Sequence, residues 1–233
     1  MSDTQNMEQA QEVQHSPKFE DIKGYHDSGF WNAAMVKNAV KKKRITAEAC
    51  VSHLLFDSSD YPELGARIKC NPSIKTKTNR DALRQAVNSN LIDVIATDHA
   101  PHLLKEKEGG PLKAMSGMPM IQFSLVSMLE LVNEGIFTIE KVVEKMCHAP
   151  AQIYNIHNRG FIRPGYQADL VLVRPDALWT VSADQILSKC GWSPLEGRTF
   201  EWKVEKTFAN GHLLYTDGQV DETYRGQEIY FER

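Results

Sequence analysis

Residues 95–102 read Ile-Ala-Thr-Asp-His-Ala-Pro-His and place one carboxylate, Asp98, and two imidazoles, His99 and His102, within five positions. This set of groups suits a divalent metal and a hydrolytic water. A carboxylate can hold the ion and also take a proton from bound water, whose pKa a zinc ion brings down to about 7. For Asp98 and His99 alone a plainer reading stands beside this one, an aspartate capping the next segment among surface histidines. The full octet is more specific than the pair.

The element that must carry these groups is the stretch just before them. Residues 91–96 are short, apolar and partly β-branched, and they are entered from the polar Asn88, Ser89 and Asn90, so they read as a strand buried on both faces. Asp98 then stands at the C-terminal tip of that strand, the end that carries the chemistry in an α/β barrel. Pro101 blocks a helix and leaves His102 on a loop rim. A helix over about 80–87, capped by Thr78 or Asn79 and burying Leu83 and Val87, delivers the chain to this strand.

The octet resembles the strand-eight signature of the dihydroorotases, members of the amidohydrolase superfamily. Further stretches resemble that family in the same order. Lys-Cys-Asn-Pro-Ser-Ile at 69–74 is similar to its Asn-Pro-Pro-Leu segment on strand seven. Residues 44–54 are similar to its Thr-Ala-Glu-Val-Thr-Pro-His-His-Leu strand, with His53 at the second histidine and Ser52 replacing the first. Residues 164–173 and 189–197 resemble its C-terminal landmarks. The resemblance covers about 35–233 and implies an α/β fold: the C-terminal part of a (β/α)8 metal-dependent hydrolase barrel, followed by a partial small β-sandwich. It divides the chain into a polar tail and unplaced segment at 1–34, the partial barrel at 35–158 and the partial sandwich at 159–233.

The same resemblance implies an activity and a site. The reaction is the closure of N-carbamoyl-L-aspartate to dihydroorotate, a step of pyrimidine synthesis, with zinc, one or two ions, as cofactor. Asp98 takes the catalytic and metal-binding role, while Asn71 and His102 match positions that hold the substrate. The family's His-x-His pair on the first barrel strand has no counterpart among the eight histidines of this chain. A later histidine ligand would fall near residue 25, which makes His26 the second metal candidate, against a loop histidine. His99 receives no separate role. Because catalytic zinc usually takes three protein ligands plus water, a chain offering Asp98 and His26 is expected to be inactive or weak alone. Two alternatives stay open: a non-catalytic dihydroorotase-like subunit, and another cyclic-amide hydrolase of the allantoinase or dihydropyrimidinase type.

Composition narrows the partners. The 233 residues carry a net charge of −3 and a pI near 6.2, so no basic face offers itself to nucleic acid or an anionic membrane. Lys41, Lys42, Lys43 and Arg44 form the one basic cluster and read as a solvated helix end. Cys50, Cys70, Cys147 and Cys190 are widely spaced, as reduced thiols of a cytoplasmic protein would be. No apolar run approaches 18 residues, and no signal peptide is expected. A full barrel needs about 250 residues. The chain is therefore expected to be half of such an enzyme, with a small-molecule substrate as its partner, and to self-associate or pair with a missing N-terminal half.

The remaining pattern fills in the scaffold. Residues 1–18 are polar enough to be a disordered tail. The charged, glycine-rich stretch 105–111 reads as a mobile lid over the barrel mouth. Pro119 is expected to open a helix whose stripe is Ile121, Leu125, Met128, Leu129 and Val132, with the methionines as core filler, and Thr138 to cap another helix. Beyond Gly160 come strands: a buried one at 168–173, another at 179–181, and a hairpin of 204–208 with 212–215 turned at Asn210-Gly211. The N-terminal strands of the sandwich are missing, which leaves an edge to be covered or paired.

Overall fold

The computed structural model describes residues 45–232, and its α/β architecture starts from a pair of parallel strands. These are β1 (Glu48–Cys50) and β2 (Val94–Ala96), in register Glu48 to Val94, Ala49 to Ile95 and Cys50 to Ala96. Asp93 fixes that register from below. Its carboxylate accepts from the Ala47 N–H at 2.7 Å, and its own N–H donates to the Ala47 carbonyl at 2.9 Å. Both strands are shorter than their apolar runs suggest, and residues 69–74 form no strand at all, so β1 pairs directly with β2 rather than through a strand between them.

The crossover between them is built on two helices. After β1 the chain turns at once into α1 (Val51–Leu55), which carries His53 on a helix instead of the expected strand. The crossover helix α2 (Lys77–Asn88) starts earlier than its sequence suggests, with Thr76 rather than Thr78 or Asn79 at the N-cap. It buries Val87 as expected, while Leu83 is only partly buried against the core; Ala86 is buried as well, and so is one charged residue: Arg84 reaches across to the Leu54 carbonyl at 2.9 Å, satisfying the end of α1. Beside it Arg80 meets the Asp57 carboxylate at 2.8 Å. Asp57 also caps the following turn by accepting from the Ser59 N–H, and Asp60 reciprocates on the Asp57 N–H.

Downstream of the octet the structure departs from the expected lid. Residues 105–111 are short helical turns, Leu104–Lys107 and Gly110–Lys113, and Lys107 is only 4% exposed. The helix expected from Pro119 begins at Ser124 instead. α3 (Ser124–Asn133) is preceded by a turn that leaves Ile121 60% exposed, so Ile121 is no member of the core stripe. Met118, Met120 and Met128 do fill the core. Thr138 caps α4 (Ile139–Val143), its hydroxyl accepting from the Lys141 N–H, and a wider π turn, Glu144–His148, leads into α5 (Ala149–Ile153).

The C-terminal strands split between two places. β3 (Leu170–Arg174), β6 (Lys203–Ala209), β7 (His212–Thr216) and β8 (Gln219–Val220) form one antiparallel sheet in that order. The β6–β7 hairpin turns at Asn210 and Gly211, both at positive φ, as the Asn-Gly pair dictates. β4 (Trp179–Thr180) and β5 (Thr199–Phe200) make a separate ribbon whose Trp179 and Phe200 rings lie 5.6 Å apart and join the same core as β1 and β2. The first strand of the larger sheet is not buried: Val171 and Leu172, consecutive and so on opposite faces of β3, are 47% and 45% exposed. None of the described helices is long and apolar enough to cross a membrane.

Candidate active site

The candidate groups gather where β1 and β2 end. Asp98 follows β2 by two residues with φ +44°, a left-handed conformation that aspartate tolerates, and it is exposed. The reversal it makes sends His99 back to pair with Met118 as a parallel bridge. There His99 Nδ1 accepts from the backbone N–H groups of Met120 (3.2 Å) and Ile121 (3.3 Å), which assigns the ring proton to Nε2. His99 is thus an anchor of the strand tip, a role with no signature in the sequence.

Two thiols stand beside Asp98. The Cys50 thiol is pushed up to about 12, first by burial and then by the negative charges of Asp98 and Glu48. Cys70 is raised chiefly by burial, with Asp98 adding to it. Both are therefore neutral at physiological pH, and all four cysteines are free thiols.

His102 lies half-buried on the rim. Its Nε2 donates to the Ser116 carbonyl at 3.1 Å, and its own carbonyl accepts from the Trp192 indole N–H at 2.7 Å. Gly117 permits this packing, because a Cβ there would come within 2.4 Å of the Ala100 Cβ. Opposite, Asn71 is exposed in the loop after Cys70. His53 Nε2 donates to the Pro72 carbonyl at 2.8 Å, and Cys70 Sγ donates to the same oxygen at 3.2 Å. That histidine braces the Asn71 loop.

The residue that sequence reasoning missed is Lys107. Its Nζ donates to the carbonyls of Lys69 (3.1 Å), Met115 (2.7 Å) and Gly117 (2.5 Å), and it faces the Trp192 ring with its nitrogen 6.0 Å from the centroid. Burial lowers its pKa to about 8. Lys69 in turn donates through its Nζ to the Ala114 carbonyl.

The structure thus places Asp98, Asn71 and His102 on the loops around the parallel pair. It does not give Asp98 metal-binding company: among the described residues no three His, Cys, Asp or Glu side chains converge to hold an ion. His53 Nε2 and His99 Nδ1 are each committed to the backbone. Zinc does not fit the described residues as they stand. His26 lies outside the described residues.

The amidohydrolase family model matches residues 4–214. This chain belongs to the amidohydrolase family. The family is generally metal-dependent. Relatives of this amidohydrolase include a dihydroorotase of Clostridioides difficile, 37% identical over 172 residues, which are 73% of this chain and 40% of that protein. An allantoinase of Bacillus velezensis is 31% identical over 175 residues, 75% of this chain and 38% of that protein. Among solved structures, the L-hydantoinase (dihydropyrimidinase) of Arthrobacter aurescens superposes with a TM-score of 0.76 at 26% identity, covering 80% of this chain and 43% of that one. The chain spans about two-fifths of the length of these relatives.

Proposed function

We propose that this amidohydrolase chain carries the substrate-holding part of a dihydroorotase site, binding N-carbamoyl-L-aspartate or dihydroorotate, and that it does not turn them over unaided. The observation that carries the reading is the arrangement at the ends of β1 and β2, where Asp98, Asn71 and His102 stand on loops in the order the dihydroorotase motifs have. In this reading Asn71 meets the substrate through its side-chain amide and His102 through Nδ1, the ring nitrogen not given to the Ser116 carbonyl, which accepts a substrate N–H in the neutral ring and donates to a carboxylate oxygen only in the imidazolium. Asp98 is the carboxylate able to accept a proton from an attacking water at the ring carbonyl. The reading is supported by the names of several relatives and by the Thr-Asp-His-Ala-Pro-His stretch. A pyrimidine-synthesis role, a cytoplasmic location, the second layer of a sandwich and pairing with a polypeptide that completes the metal site all follow from the same proposal.

The test is binding and turnover measured together on the purified chain. Calorimetry with dihydroorotate should give saturable binding that Asn71→Ala and His102→Ala each weaken by about tenfold or more, the usual effect of losing a charge-assisted contact. Ring opening and closure followed by absorbance should stay at background with added zinc. A zinc-loaded preparation whose turnover disappears in Asp98→Ala would refute the inactivity. A second reading, a hydantoin- or allantoin-type ring as ligand, is favoured by the allantoinase relative and the hydantoinase superposition. Tighter binding of allantoin or a hydantoin than of dihydroorotate would decide for it.

A further inference from the structure

Lys107 closes a ring of contacts that ties both substrate-holding loops together. From its Nζ one bond runs to the Lys69 carbonyl, directly before Cys70 and Asn71. Two more run to Met115 and Gly117, the residues flanking Ser116, whose carbonyl holds the His102 imidazole. His102 is held at its own carbonyl by the Trp192 indole, and the Trp192 ring faces Lys107 again. The Gly117 N–H closes the inner link by donating to the Lys69 carbonyl at 2.9 Å. A buried ammonium with three acceptors is a stiff junction, because its donors have no water to turn to instead.

We propose that Lys107 is the positioning residue of the site: it sets the separation of Asn71 and His102, and so the size of the cyclic amide or ureido acid that fits between them. This rests on the proposed function for its ligand, but not for the clamp itself. Arginine at this position keeps the charge and several donors, whereas methionine keeps the apolar stem and removes every donor. In metal sites, losing an outer partner that orients a ligand typically costs about 10–100-fold, and a loss of that order is expected here.

The experiment uses the whole chain and two kinds of readout. In the unsubstituted protein the Lys107 ammonium should give a 15N–1H signal protected from solvent exchange, while exposed Lys105 gives none. An ammonium at 107 that exchanges as fast as Lys105 overturns the proposal whether or not any ligand binds. In Lys107→Met the Trp192 indole N–H should shift and lose exchange protection, and dihydroorotate binding should fall by about tenfold or more. Lys107→Arg should recover most of that affinity, and Lys141→Met, which removes a lysine paired with Glu144 and Asn90 and touching neither loop, should leave it unchanged. An unmoved indole signal with wild-type affinity in Lys107→Met refutes the clamp. Should the unsubstituted chain bind no dihydroorotate, the functional reading fails, while the ammonium and indole signals still decide the clamp. Should Lys107→Met fail to fold, the ammonium signal and Lys107→Arg carry the decision.

Discussion

Gly117→Ala is the sharpest probe of how the rim is built, because two separate costs can be read from the geometry. The residue sits at φ +125°, where a side chain is strained by about 1–3 kcal/mol. The added methyl would also stand 2.4 Å from the Ala100 Cβ and 3.3 Å from His102 Cδ2. Carbon atoms pack at about 3.5–4.0 Å, so one loop must retreat by roughly 1 Å. The His102 to Ser116 hydrogen bond crosses that seam, and breaking it adds about 1 kcal/mol. The total is about 2–4 kcal/mol, or about 4–16 °C in Tm for a chain of this size. Gly165→Ala supplies the reference, since φ there is +85° but nothing lies within 4 Å of the added methyl. Urea unfolding followed by tryptophan fluorescence should show Gly117→Ala the more destabilising by at least about 1 kcal/mol. Equal losses at the two glycines would mean that the Ala100 and Gly117 loops are not packed as described.

Asp57→Asn should cost about 2–4 kcal/mol, because it removes the charge facing Arg80 and weakens the cap on the following turn. The hydrogen bonds from Ser59, with Arg80 adding to them, hold the Asp57 carboxyl below its ordinary 3.8, so its stabilisation is present above that value and lost as the pH falls through the lower folded one. Urea titrations over that acid range should therefore be flatter for the variant than for the parent. Leu172→Thr should change stability by less than about 1 kcal/mol, since that residue is 45% exposed in β3; a loss of 2 kcal/mol or more would place it in a core. With its thiol near 12, Cys50 is about one part in ten thousand thiolate at pH 8 and should resist iodoacetamide in the folded chain, an outcome read by mass spectrometry before and after urea.

What the sequence announced and what it concealed divide along the range of the interactions. Asp98 at a strand tip, the Asn210-Gly211 turn and the Thr138 cap are all set by neighbours a few positions away, and each is legible from residue types alone. Lys107 is not, because its acceptors are backbone carbonyls 38, 8 and 10 residues distant, and a carbonyl has no letter in the sequence. Within a run of charges and glycines it reads as a solvated lid. Only the fold that brings Lys69 alongside 115–117 turns it into a buried junction. The exposed strand β3 is the converse case: its apolar run describes a strand made to be covered, and composition says nothing about whether the cover is at hand. His99 was spelled out in the octet, yet its ring serves two backbone N–H groups rather than an ion.

Under the proposed function, these braces imply that holding a substrate and activating water are separable in this chain. The contacts described above for Asn71 and His102 lie within the described residues: His53 and Cys70 hold the loop of the first, the Ser116 carbonyl and the Trp192 indole hold the second, and Lys107 joins the two. None of them needs a metal. Binding and turnover then have different requirements, and linkage makes the difference measurable: an ion and a ligand that share a site must change each other's affinity by the same factor. Dihydroorotate titrated with and without saturating zinc should give dissociation constants within about threefold of each other, a coupling below 1 kcal/mol. A zinc-dependent gain of tenfold or more would place an ion beside the ligand and require donors that the described residues do not assemble. In that case Asp98 would have company from elsewhere in the chain, and the inactivity proposed for it would fail with the separation.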